Sequence, residues 1–432
     1  MYKIKDNFKT LFLITLLVLV ISGCGGGSGI DAGGGPGQND DMSAKYLAAD
    51  QKAAMVGKDL AWANTKFALK IFREISKTSA DNTFISPLSI SMALSMVYNG
   101  ATGETLLAMT NALELSGLDI NNLNRQYKNL IESLVSVDAG IVLNIANSMW
   151  IRASFMPEVN AGFIQKLQTY YSCPPNSLDF SSPEAVSTIN AWIEKQTNGM
   201  IKNMITQIDD GIVMFLINAL YFKGEWVNKF DPANTVPANF YGTDGAAKSV
   251  SMMSASNKLK YYDGPNFSAA RLPYGRDKIA MYIFLPKAGT SVDAFISGLA
   301  ADGVEKVVTD MASAGQRVVN VRMPKFKFEY GVKRLNEELK TLGMSIPFDP
   351  QKADFSNMAR NVYIQFVDHK AVIDVNEKGS EAAAVTIIGV GVTSVPVDTA
   401  DFFVERPFFF MIYDDRSQTV LFMGKVTDPK YN

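Results

Sequence analysis

The sequence predicts one large α+β domain, in which helices come first and strands dominate later. Three observations indicate this class. Apolar residues recur at helical spacing early in the chain, strand-like runs follow later, and no internal linker divides the chain after residue 60. At about 150 residues per domain the 432 residues would allow two or three domains, but length is only a soft guide. Hydrophobic residues make up 47% of the chain, which is ample for a large core.

The N-terminus has the pattern of a secretion signal. Lysines precede an apolar run at residues 11–21, which is too short to cross a bilayer as a helix, since that takes about 20 residues. The run ends in Ile21-Ser22-Gly23-Cys24, which resembles the lipobox of prokaryotic lipoproteins. That resemblance implies a lipoprotein signal peptide over residues 1–23 and a lipid on Cys24. The alternative is an ordinary secretion signal with a chance cysteine.

The glycine-rich segment that follows suits a flexible tether over residues 24–55. Its glycines are not a phosphate-binding loop, because no Gly-Lys-Ser/Thr follows them. We therefore expect a prokaryotic envelope protein, anchored through Cys24 at the periplasmic face or the cell surface, with extracellular release as an alternative. The net charge of −2 provides no electrostatic reason to bind nucleic acid.

Three segments with helical spacing of apolar residues predict core-facing helices. They lie at residues 67–75, 90–97 and 186–193, and the last is expected to stop at Asn198-Gly199. Residues 211–222 are almost wholly apolar, as expected of a central strand covered on both faces. Further strand-like runs are found at 279–285, 318–330, 362–375, 402–413 and 419–426.

The most informative segment spans residues 377–397. From Ala382 to Val397 it has no charge and no proline before Pro396, and its β-branched residues favour extended backbone. Alternation alone favours an ordinary core strand. Every second residue forms a face that is small at its start and aliphatic further along, and that could slip between strands already in place: Ser380, Ala382, Ala384, Thr386, Ile388, Val390 and Val392.

The start of this segment, Glu377-Lys378-Gly379-Ser380-Glu381-Ala382-Ala383-Ala384, closely resembles the hinge of the reactive loop in inhibitory serpins. Other blocks match the same family in its order, over the whole chain after about residue 55. Each block is weak alone, but together they are highly specific. They comprise residues 82–90, 98–105, 189–192, 197–201, 218–226, Pro324-Lys325-Phe326, His369-Lys370-Ala371, Arg406-Pro407-Phe408 and Phe422-Met423-Gly424.

The resemblance implies a serpin domain over residues 56–432, with three β-sheets (A, B and C), about eight or nine helices and an exposed reactive-centre loop at about residues 377–397. It assigns Trp226 to the breach at the top of sheet A, where insertion begins. The family's shutter, a polar cluster under the centre of sheet A, is matched by Ser86, Ser89, Asn218 and His369. The loop hinge is matched by Glu377, Gly379, Ser380, Glu381, Ala382, Ala383 and Ala384.

Counting as the family does from Gly379 places the reactive bond at Thr393-Ser394. The resemblance thus implies an irreversible suicide-substrate inhibitor of serine proteases, which traps the acyl-enzyme when the cleaved loop inserts into sheet A. The small Thr393 fits elastase-like or subtilisin-like enzymes with small apolar pockets. No Arg or Lys lies between Glu381 and Val397 for a trypsin-like enzyme.

Three alternatives stay open. The loop could inhibit papain-like cysteine proteases, because thioesters can be trapped too, or the chain could be a non-inhibitory serpin that acts as a binding protein. An enzyme ranks last, since a Ser-His-Asp hydrolase needs a serine in reach of a histidine, and His369 is the only histidine in the sequence. No Gly-x-Ser-x-Gly elbow is present. His369 is predicted to be a hydrogen-bonded structural residue.

The remaining reactive residues suggest no further chemistry. Cys24 and Cys173 are the only cysteines, so a lipid on Cys24 would exclude an intrachain disulfide, and no motif supports Cys173 as a nucleophile. Asp209-Asp210 and Asp414-Asp415 are predicted to be solvated turns, because no histidine or cysteine lies nearby. We expect no cofactor and no metal, target proteases as partners, and a monomer with a risk of loop-sheet polymers.

Overall fold

A computed structural model of the chain describes residues 37–380 and 399–431. The predicted signal peptide and Cys24 lie outside the described residues. So does most of the predicted reactive loop, including Glu381, Ala382, Ala383, Ala384 and the Thr393-Ser394 bond. None of the helices in the described ranges combines the length and hydrophobicity that a bilayer span requires.

Ten α-helices lie in the described part of the chain, and three of them cover the segments predicted from helical spacing. The stop predicted after the third is also present, since Asn198 and Gly199 both have positive φ. The helices are α1 (Gly37–Ala54), α2 (Lys58–Lys77), α3 (Pro87–Tyr98), α4 (Gly103–Ala112), α5 (Ile120–Leu134), α6 (Ala161–Tyr171), α7 (Ala185–Gln196), α8 (Val292–Gly298), α9 (Ala301–Ser313) and α10 (Asn336–Leu339).

Fifteen strands lie in the same residues. They are β1 (Thr83–Ile85), β2 (Ile141–Arg152), β3 (Pro175–Leu178), β4 (Met214–Glu225), β5 (Val236–Tyr241), β6 (Ala247–Asp263), β7 (Phe267–Tyr274), β8 (Ile279–Pro286), β9 (Arg317–Pro324), β10 (Phe326–Arg334), β11 (Asp368–Asn376), β12 (Gly379–Ser380), β13 (Thr399–Phe403), β14 (Phe408–Asp414) and β15 (Thr419–Val426).

The strands form the three sheets that were predicted. Sheet A has the order β10-β11-β12-β4-β2-β3. The other nine strands form one continuous assembly. Its two parts share the long strand β6, because residues 252–259 of β6 pair with β9 and residues 260–263 pair with β7. We call the β1-β15-β14-β8-β7-β6 part sheet B and the β5-β6-β9-β13 part sheet C. The α+β prediction is confirmed.

Helix α3 packs against both β4 of sheet A and β15 of sheet B. The start of this helix is well defined, because the Ser86 side chain accepts a hydrogen bond from the Ser89 backbone N–H (3.1 Å) and Pro87 occupies the first helical position. Within sheet B, Phe84 stacks on Phe422 with ring centroids 5.3 Å apart, and Phe84 also meets Phe328 of sheet A edge-on at 6.3 Å. This packing places the N-terminus of α3 beneath the centre of sheet A.

The boundaries of several predicted strands were wrong. The run at 318–330 contains two strands, β9 and β10, which lie in different sheets, and the run at 402–413 divides into β13 and β14 around Arg406-Pro407, where proline lacks a backbone N–H. The run at 362–375 is a strand only from Asp368. Strand β4 is central, as predicted, but residues 216–218 are half-buried rather than covered on both faces.

The prediction of a flexible tether as far as residue 55 is wrong for its last part. Residues from Ser43 onward belong to the main compact unit, and Ala49 and Ala53 of α1 are buried. Asp50 forms an ion pair with Arg416 at 3.1 Å, and Lys52 forms one with Glu132 at 2.7 Å. The glycines end before this segment, which contains alanine and lysine, both good helix formers.

Candidate functional site

The candidate site is the strand position between β11 and β4 in sheet A, called here the gap. Its upper end is occupied by β12, which pairs with both neighbours: Ser380 is opposite Val375 on β11 and Gly224 on β4. Glu377 and Lys378 form the two-residue turn that connects β11 to β12. Of the predicted hinge residues that the structure describes, Gly379 and Ser380 therefore already lie inside the sheet.

Only glycine fits at position 379. Its φ is +151°, and a Cβ atom there would lie 2.0 Å from the Gly224 carbonyl oxygen. Because β4 approaches so closely, a side chain at this position would push β12 out of the sheet. The resemblance assigned Gly379 to the hinge, and the structure provides the steric reason for a glycine.

Trp226, the residue assigned to the breach, contacts the turn directly. Its backbone N–H donates to the Lys378 carbonyl oxygen and its indole N–H donates to the Asn376 carbonyl oxygen, both at 2.9 Å. The indole ring stacks on Tyr274 with centroids 4.3 Å apart, and the Tyr274 hydroxyl lies 2.7 Å from the Ser380 hydroxyl. Sequence reasoning missed Tyr274, because one buried tyrosine at the end of a strand carries no local signal of its partner.

Glu377 connects the turn to Lys325, the residue between β9 and β10, and to the loop before β5. Its carboxylate lies 3.0 Å from the Lys325 ammonium nitrogen and accepts a hydrogen bond from the Thr235 hydroxyl at 2.9 Å. Burial acts to raise the pKa of Glu377, but hydrogen bonds from its own backbone N–H, Lys325 and Thr235 outweigh it, so the pKa is lowered. Glu377 is therefore ionised at neutral pH and pairs with Lys325.

The four residues assigned to the shutter lie together at the centre of the gap. The Ser86 backbone N–H donates to Nε2 of His369 (3.1 Å), and the Ser86 hydroxyl donates to the Leu421 carbonyl oxygen (2.8 Å). The Ser89 hydroxyl donates to the Asn218 carbonyl oxygen at 3.3 Å. This cluster therefore connects α3 to both strands that flank the gap.

A residue that sequence reasoning missed extends the cluster. The Asn218 side-chain amide donates to Oδ1 of Asn147 on β2 at 2.8 Å, and the Asn147 amide donates to the Tyr171 carbonyl oxygen at 2.7 Å. Among the described residues, the buried Oδ1 of Asn218 has no hydrogen-bond partner. Such a group is costly unless a donor reaches it, so Asn218 Oδ1 is an acceptor for a donor from outside the described residues.

His369 and Cys173 have the properties of structural residues. Burial lowers the pKa of His369 to about 4, so its imidazole is neutral near pH 7, and its Nε2 accepts a backbone hydrogen bond rather than activating a hydroxyl. Burial raises the pKa of Cys173 to about 12, which disfavours the reactive thiolate. The prediction that His369 is a hydrogen-bonded structural residue agrees with this geometry.

Below the shutter, the gap opens into a cavity of about 300 Å³. The lower half of β4, the segment that leads into β11 and one face of α3 form its walls, which include Ile90, Leu94, Leu216, Val362 and Phe366. A second cavity of about 40 Å³ lies between the shutter and β12, and its lining includes Asn218, His369 and Ser380. The gap thus runs from β12, past a polar centre, into an apolar lower end.

The prediction that Asp414-Asp415 is a solvated turn is wrong. Asp414 is fully buried and pairs with Arg416 at 2.9 Å, while Asp415 accepts a hydrogen bond from the Tyr282 hydroxyl at 2.6 Å and contacts Arg271. These partners include residues that are distant in sequence, which is why the motif alone did not reveal them. In the part of the chain that the structure describes, no group of three or more His, Cys, Asp or Glu residues could hold a metal ion.

Comparisons with known proteins agree with this architecture. The family model described as Serpin (serine protease inhibitor) matches residues 62–429. Serpin B11 of Homo sapiens is 33% identical over 395 residues, which cover 86% of this chain and 99% of that protein. Leukocyte elastase inhibitor of Sus scrofa is 32% identical over 387 residues, which cover 86% and 100%. The crystal structure of the thermophilic serpin tengpin in the native state has a TM-score of 0.77 at 31% identity, covering 86% of this chain and 95% of that one.

Proposed function

The chain belongs to the serpin family, and we propose that it is an irreversible suicide-substrate inhibitor of serine proteases, held at a prokaryotic cell envelope by a lipid on Cys24. A protease cleaves the loop at Thr393-Ser394 and becomes esterified to Thr393. The freed strand then enters the gap in sheet A and carries the protease with it, which distorts the protease active site. The observation that carries this proposal is the position of β12. Its two residues pair with both β11 and β4 at the upper end of the gap, and a strand continued from β12 would run into the cavity at the lower end.

The register of β12 supports the proposal. Ser380 pairs with Gly224 on β4 and with Val375 on β11, both antiparallel. If the same register continues for six more residues, Thr386 comes opposite Asn218 on one side and His369 on the other. Both are residues of the shutter, so the inserting strand would part the shutter and bring a hydroxyl donor to the level of Asn218 Oδ1.

The lower end of the gap provides the driving force. In a strand, residues at even spacing from Ser380 face the same side, so Ile388, Val390 and Val392 would face the apolar cavity of about 300 Å³. Burying each of these side chains stabilises the inserted state by about 1.5–3 kcal/mol, in addition to the backbone hydrogen bonds of a central strand. The uncleaved protein is then metastable and is held by a kinetic barrier.

The target class follows from Thr393. A small residue before the scissile bond fits elastase-like or subtilisin-like proteases, and similarity to a leukocyte elastase inhibitor supports this class. The experiment is to incubate the chain without its signal peptide with elastase, subtilisin, trypsin and papain separately and to examine denaturing gels. We expect a band at the summed mass with elastase or subtilisin.

Other results would change the assignment. Such a band with papain alone would indicate inhibition of cysteine proteases. Cleavage near Thr393 with no such band and with fully active protease would indicate a non-inhibitory serpin that acts as a binding protein.

The substitution Thr393→Arg tests the reactive bond. We expect it to raise the rate of complex formation with trypsin by at least about tenfold and to reduce complex formation with elastase, because trypsin-like pockets bind a cationic residue before the scissile bond. Measuring second-order inhibition rates with both proteases checks this result. Ser394→Arg is the matched control. If Ser394→Arg gains trypsin inhibition and Thr393→Arg does not, the reactive bond lies one residue later.

A further inference from the structure

Tyr274 connects sheet B to the loop hinge in sheet A. It is the last residue of β7 and is fully buried, and its ring lies between Trp226, which stacks on it at 4.3 Å, and Phe222 of β4, which meets it edge-on at 5.1 Å. Backbone hydrogen bonds hold it on both sides: Val227 N–H donates to the Pro273 carbonyl oxygen and Gly275 N–H to the Glu225 carbonyl oxygen, each at 2.9 Å. The position of its hydroxyl is therefore set by the surrounding structure.

That hydroxyl meets the hydroxyl of Ser380 at 2.7 Å. Ser380 is 3% exposed, and among the described residues neither hydroxyl has another side-chain or backbone partner. Burial keeps the pKa of Tyr274 well above its ordinary value, so the hydroxyl stays protonated. Removing either partner leaves the other buried without a hydrogen bond, whereas removing both costs little.

The Tyr274 ring occupies space that a side chain on Gly224 would need. A Cβ atom on Gly224, which pairs with Ser380, would lie 2.8 Å from the Tyr274 ring. Without that Cβ, the ring packs directly under β12. We call Phe222, Gly224, Trp226 and Tyr274 the hinge socket.

We infer that Tyr274 is a positioning residue, whose hydroxyl holds Ser380 in the hinge socket so that insertion of the cleaved loop starts from a strand already in place. This inference rests on the proposed inhibitory function. After cleavage, the acyl-enzyme has two fates, since either the strand inserts and traps the protease or water releases it. Among the described residues, the ring and hydroxyl of Tyr274 contact Phe222, Trp226 and Ser380. We therefore expect Tyr274 to act on this partition and to leave the rate of loop cleavage unchanged.

The test compares Tyr274→Phe, Ser380→Ala and the double variant with the wild type. We expect each single variant to raise the number of inhibitor molecules consumed per protease inactivated by about threefold or more, because one buried hydroxyl is left unpaired. The double variant should return to within about twofold of the wild type, and Ser380→Thr, which keeps a hydroxyl, should behave like the wild type. The rate of loop cleavage should be equal in all of them. The inference would be overturned if Tyr274→Phe consumed no more inhibitor molecules per inactivated protease than the wild type does. A double variant that is more impaired than either single variant would also overturn it.

A second readout does not depend on any protease. In the uncleaved protein, amide hydrogen exchange of the peptide that contains Gly379 and Ser380 should rise by about tenfold in Tyr274→Phe and return toward wild type in the double variant. Unchanged exchange in Tyr274→Phe would overturn the inference even if the protein is an inhibitor. Absence of any covalent complex with the wild type would instead overturn the proposed function, while the exchange result would still decide the role of Tyr274.

Discussion

The two ends of the gap in sheet A differ in how complete they are. At the upper end, β12 pairs with β11 and β4, and the hinge socket packs beneath it. At the lower end, the same two sides of the sheet border an apolar cavity of about 300 Å³, and between the ends Asn218 Oδ1 has no partner among the described residues. Within the described residues, the upper end is a finished sheet, whereas the lower end has no strand between β11 and β4.

This difference indicates the direction that the proposed insertion would take. Starting a new strand is costly, because backbone is ordered before many contacts form, but here the first two residues are in place. Each later residue can add hydrogen bonds to both neighbours and apolar contacts in the cavity. We therefore expect the cleaved loop to insert from Ser380 downward, so that changes at the upper end affect trapping and changes at the lower end affect the stability of the product.

Ser380→Arg should have the largest effect, because it blocks the upper end. The arginine would have to enter the buried hinge socket beside Tyr274, and burying an unpaired charge costs several kcal/mol. We expect the variant to be cleaved as a substrate, with the yield of covalent complex reduced by more than about tenfold. Gel densitometry at equal molar ratios of inhibitor and protease measures this yield.

Glu381→Arg is the control for that experiment. Strand alternation places position 381 on the opposite face from Ser380, so an arginine there should disturb trapping much less. Full trapping by Ser380→Arg would show that the loop does not insert through the upper end.

Val390→Asp tests the lower end. Under the proposed insertion, the extended register would place this side chain in the apolar cavity after cleavage, and an unpaired carboxylate there costs several kcal/mol. We expect the unfolding temperature of the uncleaved protein to change little and the cleaved protein to lose most of the heat resistance that insertion provides. Thermal melts of both forms measure this. Val390→Ala, which removes apolar atoms without adding charge, should lose only part of the gain, and equal melting of cleaved wild type and Val390→Asp would contradict the register.

The sequence pointed to residues at the upper end and at the centre of the gap, but it did not reveal which residues they contact. Helices α2, α3 and α7 followed from the helical spacing of their apolar residues. Strands β8 and β15 followed instead from strand-like runs, and the structure buries every residue of both. The four shutter residues followed from the resemblance alone, and the structure brings them together. No local pattern could show that β12 pairs on both sides, since pairing depends on strands that are distant in sequence.

The sequence analysis missed several contacts for the same physical reason, because the partners are distant in sequence. Tyr274 and Ser380 are 106 positions apart, and Asp415 contacts Arg271 over 144 positions. A charge at a turn has the same local pattern whether it is solvated or paired. The segment after Gly37 was assigned to the tether because it follows a glycine-rich run, although its own residues form a helix in which Ala49 and Ala53 are buried.

His369 lies between the two ends of the gap. We expect its protonation to destabilise the shutter, with a smaller effect than the substitutions at either end. Its pKa in the folded protein is about 4, below the ordinary value of about 6.5. As pH falls from about 6.5 toward 4, the unfolded chain binds a proton that the folded protein excludes. The free energy of unfolding therefore falls over this window by about 3 kcal/mol in total, and this group contributes no pH dependence above it.

Protonation also converts Nε2 of His369 from an acceptor into a donor, so the Ser86 N–H loses its partner and the shutter loosens. The measurement is the urea midpoint of the uncleaved protein from pH 4 to pH 8, together with the half-life of inhibitory activity at pH 4. Because other carboxylates titrate in this range, the informative quantity is the difference between wild type and His369→Gln, which cannot take up the proton. We expect His369→Gln to be less stable at pH 7 but to show a flatter pH dependence below 6.5 and a smaller loss of activity between pH 7 and pH 4. Parallel curves for the two proteins would mean that the centre of the gap does not respond to His369, and that the upper end alone controls when the sheet opens.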